Sequence, residues 1–258
     1  MNEPLPEYLV AGEGHRTLVF LHGLGGDHTN WQPQFAEFSA DYRCVAWTLP
    51  GYGASPPMSA LTWPNLSDML VRVLDDVGVE QVTVIGLSMG GFIAQQFAAD
   101  HDDRVEQVVL AGTTAQFGRG SKSFIDDYLK TRLEPLDDGD TPADFAPAVV
   151  KRLLSKDVSA ETMAIAVSSM SRISPEAYRD ALECLVTWNF VDYLDEIEAP
   201  ALCIAARDDV TAPVAALEAL AERLPNARLE VIDNCQHLMN LDRPTEFNAL
   251  VRRFLEEL

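Results

Sequence analysis

The sequence predicts an α/β protein: a mostly parallel central sheet flanked by helices, with a helical segment inserted between two of its strands. Three features of the chain carry that expectation. Short β-rich apolar runs alternate with helical patterns through about residue 111, the strand signal then stops until about residue 188, and the alternation resumes after Pro200.

Taken in order, the first five strands are expected at residues 5–10, 17–22, 43–48, 81–86 and 104–111. Between the third and fourth, Leu66, Met69, Leu70, Val73, Leu74 and Val77 recur at three- and four-residue spacing, while Asp68, Asp75 and Asp76 fall on the other face. That pattern is an amphipathic helix, closed by Gly78. Helices follow at residues 122–132, 144–155, 160–171 and 175–188, around the breakers Pro135 and Gly139. After Pro200 the expected elements are a strand at 201–206, a helix at 213–224, a strand at 228–232 and a terminal helix at 244–258. The chain thus divides into a core, residues 1–117 and 191–258, and a helical insertion, residues 118–190. It has no internal repeat and no low-complexity tract.

Composition narrows the function classes. At 258 residues the chain suits one large domain, and 47% apolar with 23% charged residues is the balance of a soluble globular protein. Nineteen basic against 40 acidic side chains leave a net charge of −21, a field that repels nucleic acid and anionic lipid, so neither is an expected partner. The insertion carries 9 basic and 12 acidic residues and all four lysines, which marks it as a distinct module. The longest apolar run, 201–206, is far short of the roughly 20 residues a membrane span needs, and the Met1-Asn2-Glu3-Pro4 start lacks a secretory pattern, so a cytoplasmic location is expected. Cys44, Cys184, Cys203 and Cys235 show no metal-binding or redox spacing and read as buried small hydrophobes; no metal and no cofactor is expected.

The chemistry begins at Gly86-Leu87-Ser88-Met89-Gly90-Gly91, which follows an apolar strand and opens a helix. A turn this tight strains its central residue and exposes the hydroxyl, and glycines at 86 and 90 avoid collisions across it. The Met89 N–H, first in the helix, is aimed beside the Ser88 oxygen, where a carbonyl under attack develops negative charge. A second donor should come from a loop after an earlier strand; Leu21-His22-Gly23-Leu24-Gly25-Gly26 offers the Leu24 N–H, with His22 read as a structural histidine. Serine needs a general base. Of His15, His22, His28, His101 and His237, only His237 follows a late strand and a short loop, and the polar contexts of His15, His28 and His101 suggest surface positions. The carboxylate that orients it should lie after strand 201–206, where Asp208 and Asp209 both stand.

With those motifs in view, the chain resembles the α/β-hydrolase superfamily over nearly its whole length. The resemblance rests on His22-Gly23-Leu24-Gly25-Gly26, Leu49-Pro50-Gly51-Tyr52-Gly53-Ala54-Ser55, the Ser88 turn, the Asp209 loop and the His237 segment with Asp242 and Pro244. The order Ser88, Asp209, His237 is that of the superfamily. It implies a catalytic triad of those three residues, an oxyanion hole from Leu24 and Met89, and a helical lid at 118–190 whose lining sets substrate choice. Three positions depart from the pattern: Ala206 stands three residues before the acid in place of glycine, Gln236 replaces the glycine before the histidine, and Thr48 replaces an acid before the Leu49 loop. Serine at 88 disfavours the dehalogenase chemistry that uses aspartate there.

The implied activity is hydrolysis of a small carboxylic ester or lactone, similar to small lidded carboxylesterases and 3-oxoadipate enol-lactonases. The partner is a small-molecule substrate; a homodimer is compatible with the sequence. Alternatives on the same triad are C–C hydrolysis of a ring-cleavage product, hydroxynitrile lysis, or non-catalytic small-molecule reception. The net charge places a neutral substrate first; a dianionic lactone would need local cations, for which Arg119, Arg172 and Arg179 are available.

Overall fold

The computed structural model describes residues 3–257. Seven strands form one sheet: β1 Tyr8–Ala11, β2 Thr17–Leu21, β3 Arg43–Trp47, β4 Val82–Leu87, β5 Val105–Ala111, β6 Ala201–Ala206 and β7 Ala227–Ile232. They run in the order β1-β3-β2-β4-β5-β6-β7. Every pair is parallel except β1 with β3, which is antiparallel. The antiparallel edge follows from the short link between β1 and β2, and Leu9 and Val10 stay exposed there. Strands β2, β4 and β6 are buried at every residue, as expected for strands covered on both faces.

The helices are α1 Gln32–Phe38, α2 Trp63–Val77, α3 Met89–Asp100, α4 Lys122–Asp137, α5 Pro142–Val150, α6 Ala160–Ser171, α7 Pro175–Leu185, α8 Val214–Arg223, α9 Met239–Asp242 and α10 Pro244–Leu255. Local chemistry sets several of their ends. Thr62 caps α2 by accepting from the Asn65 N–H, and Gly78 ends it in the left-handed region at φ 75°. Ser159 and Ser174 cap α6 and α7 in the same way as Thr62. Helix α4 continues through Pro135 to Asp137, beyond the expected end, and the chain then turns at Gly139, φ 98°. Helices α1 and α9 were not anticipated; α9 is a single turn, too short to leave a periodic signal. Helix α3 lies over β4 and β5 and packs on α2, while α1 meets α10.

Helices α4 to α7 occupy the excursion between the adjacent parallel strands β5 and β6. The chain entering and leaving it is clasped by an antiparallel bridge, Gln116 with Asn189, closed by Phe117 N–H to Trp188 O at 3.0 Å and Phe190 N–H to Ala115 O at 2.8 Å. An aromatic cluster fills this neck. Trp188 stacks on Phe92 of α3 with ring centroids 4.9 Å apart and meets Trp63 of α2 edge-on at 5.1 Å. Its indole N–H donates to Thr114 O, and that of Trp63 to Thr187 Oγ1. Burial of such aromatic surface is what fastens the helical segment to the sheet. No described helix is long and apolar enough to cross a membrane.

Candidate active site

Because β2, β4, β6 and β7 are parallel, the loops that follow them open on one edge of the sheet, where Leu24, Ser88, Asp209 and His237 are found. At the end of β4 the chain turns directly into α3, and Ser88 takes φ 55°, ψ −117°. A non-glycine residue persists there only if its surroundings over-determine it. They do: the Ser88 N–H donates to Ala111 O at 2.8 Å, and its carbonyl accepts from the Gly91 N–H at 2.8 Å and from Thr113 Oγ1 at 2.9 Å. Ser88 is also the one residue between Val82 and Gln95 that is not fully buried.

The glycines around it are required by space. A Cβ on Gly86 would sit 2.3 Å from Gly90 O, and one on Gly90 would sit 2.0 Å from Leu21 O, both backbone atoms that cannot swing aside. Gly90→Ala is therefore expected to cost about 3 kcal/mol of stability, read as a fall in the urea midpoint at unchanged slope. A midpoint equal to that of the parent would show that the turn is looser than described.

Opposite the serine lies the glycine loop after β2. A Cβ on Gly23 would come within 3.0 Å of Ser88 Cβ and 3.6 Å of its Oγ, so this backbone abuts the Ser88 side chain. His22 holds the loop. Its Nε2 accepts the Leu49 N–H at 2.9 Å, so the proton is on Nδ1, which donates to Gly23 O at 2.8 Å. Burial lowers its pKa, and the ring is neutral. A pKa lower in the folded than in the unfolded chain gives stability that is present above about pH 6.5 and lost below it, as the unfolded state takes up the proton. Between about pH 7 and pH 5 the urea midpoint should fall further in the parent than in His22→Gln; parallel curves would show that His22 titrates freely when folded. Neither the Leu24 N–H nor the Met89 N–H donates to any acceptor among the described residues.

His237 is buried, its side chain 6% exposed, and its Nδ1 lies 2.7 Å from Asp209 Oδ2. The other carboxylate oxygen of Asp209 accepts two backbone amides, Thr211 N–H at 2.7 Å and Ala212 N–H at 3.1 Å. This locks the carboxylate plane, and Asp208 beside it is exposed. The loops carrying the acid and the histidine are joined by Asp208 N–H to Cys235 O at 3.0 Å. The ring lies over Gly112: a Cβ there would be 3.4 Å from Cε1 and from Nδ1. Gly112 sits between Ala111 and Thr113, two of the residues bonded to the Ser88 backbone, so the ring lies beside the strand end that flanks Ser88.

Several site contacts have no signature in the sequence. Asp242, noted only as part of a motif, is buried and accepts from the Gln236 N–H at 2.7 Å and from Ser155 Oγ at 2.7 Å. With Leu238 N–H to Leu153 O at 3.0 Å, it ties the inserted helices to the histidine loop. A small, largely apolar cavity separates the glycine loop, Gly23 to Gly26, from Val150 and Met170 of the insertion, with Leu238 at its side. Of the arginines expected to serve a charged substrate, Arg172 pairs with buried Asp27 and Arg179 with Asp137, while Arg119 is exposed at a kink. His15 is exposed; His28 departs from the surface expectation, being half-buried with its Nδ1 2.8 Å from Thr48 Oγ1, and His101, also half-buried, faces Asp68. All four cysteines are free and buried. No three His, Cys, Asp or Glu side chains among the described residues gather to hold a metal ion.

A family model described as alpha/beta hydrolase fold matches residues 16–244. The chain is 33% identical to a 2-hydroxy-6-oxononadienedioate/2-hydroxy-6-oxononatrienedioate hydrolase of Paraburkholderia phymatum, covering 96% of this chain and 90% of that protein. It is 28% identical to 3-oxoadipate enol-lactonase 2 of Acinetobacter baylyi, covering 96% and 93%. Among solved structures, the enol-lactonase from Burkholderia xenovorans LB400 superposes with a TM-score of 0.86 at 27% identity, covering 97% of this chain and 96% of that one.

Proposed function

The chain belongs to the alpha/beta hydrolase fold family, and from that premise we propose that it is a serine hydrolase cleaving a small carboxylic ester or lactone through an acyl-enzyme. The observation that carries the reading is the placement of a strained, partly accessible Ser88 and a buried Asp209–His237 couple on the same sheet edge.

In this reading the Ser88 hydroxyl attacks the substrate carbonyl while His237 Nε2 takes its proton. The Nδ1 proton stays on the ring, directed at Asp209, which stabilises the imidazolium without being protonated. The unengaged Leu24 and Met89 amides receive the oxyanion. As the tetrahedral intermediate collapses, His237 returns the proton to the leaving alkoxide. Water, deprotonated by the same imidazole, then attacks the acyl-serine and releases the acid. Residues 118–190 act as the lid, with Val150 and Met170 covering the glycine loop. Four free thiols suit a reducing compartment, which supports a cytoplasmic setting.

The test is labelling with a fluorophosphonate followed by a panel of short p-nitrophenyl esters. Covalent modification at Ser88, blocked by prior incubation with ester, is the expected result; no labelling and no turnover would sink the reading. A second reading, hydrolytic C–C cleavage, is favoured by the 33%-identical relative and is separated by a product assay on a vinylogous diketone.

A further inference from the structure

The C-terminal end of α6 bears on the glycine loop. Ser169 Oγ donates to Gly25 O at 3.4 Å, and the Met170 side chain packs on Gly25, where an added Cβ would lie 3.5 Å from Cγ and from Sδ. Arg172, which caps the helix, pairs with Asp27, the residue that follows the loop. The pair is lopsided: the arginine side chain is 45% exposed and that of the acid 6%. The acid thus belongs to the floor, and the cation reaches down to it from the insertion. One Asp27 oxygen is turned inward, accepting the Thr29 N–H at 2.8 Å and the Thr29 hydroxyl at 2.5 Å, which starts the short helical turn His28–Trp31. The other oxygen accepts from the guanidinium, which Ser168 Oγ, accepting at 2.7 Å, helps to aim. Burial raises the Asp27 pKa, but the hydrogen bonds from Thr29 and Arg172 outweigh it and bring the carboxyl below its ordinary value, so it is charged at neutral pH.

Arg172 is the one cation that Asp27 meets among the described residues, and a buried carboxylate stripped of its cation is costly. Lifting α6 from the core therefore strands a charge at the far end of the glycine loop. The loop has few other supports. His22 anchors its start, through bonds to Gly23 O and the Leu49 N–H, and the Gly26 N–H closes it on Gly23 O at 3.0 Å. Gly23, Gly25 and Gly26 add no side chains, and Gly25 turns at φ 84°. The Leu24 amide is thus suspended between two anchors, His22 in the core and Asp27 under the insertion. A backbone donor stabilises developing negative charge only if it is held in place beforehand; an amide that must first swing into position gives back part of its effect.

We propose that Arg172 is a positioning residue: through Asp27 it fixes the far end of the glycine loop, so that the Leu24 amide is held for the oxyanion only while the insertion is seated on the core. This rests on the serine-hydrolase reading. It gives Arg172 a task other than binding a charged substrate, the use for which its sequence position makes it available, since its guanidinium is committed to Asp27 and Ser168.

With p-nitrophenyl butyrate, Arg172→Gln should lower kcat by about tenfold and leave KM within about twofold of the parent, the pattern of an interaction realised in the transition state. The Ki of butylboronic acid, whose adduct on serine is tetrahedral, should rise by a similar factor. Arg172→Lys, which keeps the charge, should recover most of the loss. Arg179→Gln, which breaks an ion pair inside the insertion, should leave kcat and Ki in place. Adding Asp27→Asn to Arg172→Gln should slow the enzyme no further, because the two side chains act as one unit. In parallel, backbone hydrogen exchange at residues 23–27 should be faster in Arg172→Gln than in the parent, with the β4 amides unchanged, so that the loosening is local. An unchanged kcat, a rise in KM alone, loop exchange indifferent to Arg172, or an equal effect of Arg179→Gln would each overturn the proposal. Because the exchange measurement needs no turnover, a parent that neither cleaves esters nor labels at Ser88, but whose loop loosens in Arg172→Gln, would keep the clamp and refute only the hydrolase reading.

Discussion

Ser88→Ala is expected to lower kcat for short p-nitrophenyl esters by about 10⁴- to 10⁶-fold and to abolish fluorophosphonate labelling, with the urea midpoint nearly unchanged. The asymmetry follows from how the turn is held. The unusual backbone of residue 88 is fixed by its own amide and carbonyl, bonded to Ala111 O, Gly91 N–H and Thr113 Oγ1. Alanine keeps all of these, and the strain with them, and removes only an oxygen that the fold does not use. Residual turnover near the background of uncatalysed hydrolysis is compatible with a preserved oxyanion loop. Activity within about tenfold of the parent, in a preparation free of contaminating esterase, would remove Ser88 from the mechanism.

Asp209→Asn should be nearly as severe, about 10³- to 10⁴-fold in kcat, and for a reason that can be read atom by atom. One carboxylate oxygen is held by the Thr211 and Ala212 amides, which demand an acceptor. An asparagine must therefore turn its own oxygen to those amides, leaving its NH₂ group toward His237 Nδ1. The ring answers by accepting there and carrying its proton on Nε2, the atom that takes the Ser88 proton in the proposed mechanism. The variant thus keeps its shape and loses its base. Nuclear magnetic resonance of the ring nitrogens should show the exchange of tautomers. Asp208→Asn, altering an exposed acid, should leave kcat within about twofold, and a reversal of the two effects would move the orienting role to Asp208.

The skeleton of this site was legible because each of its residues follows a strand with a local pattern. The glycines flanking Ser88, the double acid after β6 and the lone late histidine after β7 are all short-range features, and a parallel sheet converts such strand ends into one edge. The seven strands were legible for the same reason: each is an apolar run bounded by polar turns. What stayed hidden depends on contacts between distant segments. Nothing near Asp27 announces Arg172, and nothing near Ser155 announces Asp242, 87 positions away. Arg132 and Arg179 look alike in sequence, both on amphipathic helices; only packing shows that Asp137 occupies one and that none of the described acids meets the other.

The indole of Trp188 has a practical consequence. With Trp63 at 5.1 Å and Phe92 stacked at 4.9 Å, it sits where the inserted segment meets the sheet domain, whereas Trp31 and Trp47 lie in the core. Two of the four tryptophans therefore form an optically coupled pair at the junction. Their emission wavelength and near-ultraviolet exciton signal give a label-free gauge of whether that junction is dry or wet, readable in real time while a ligand is mixed in.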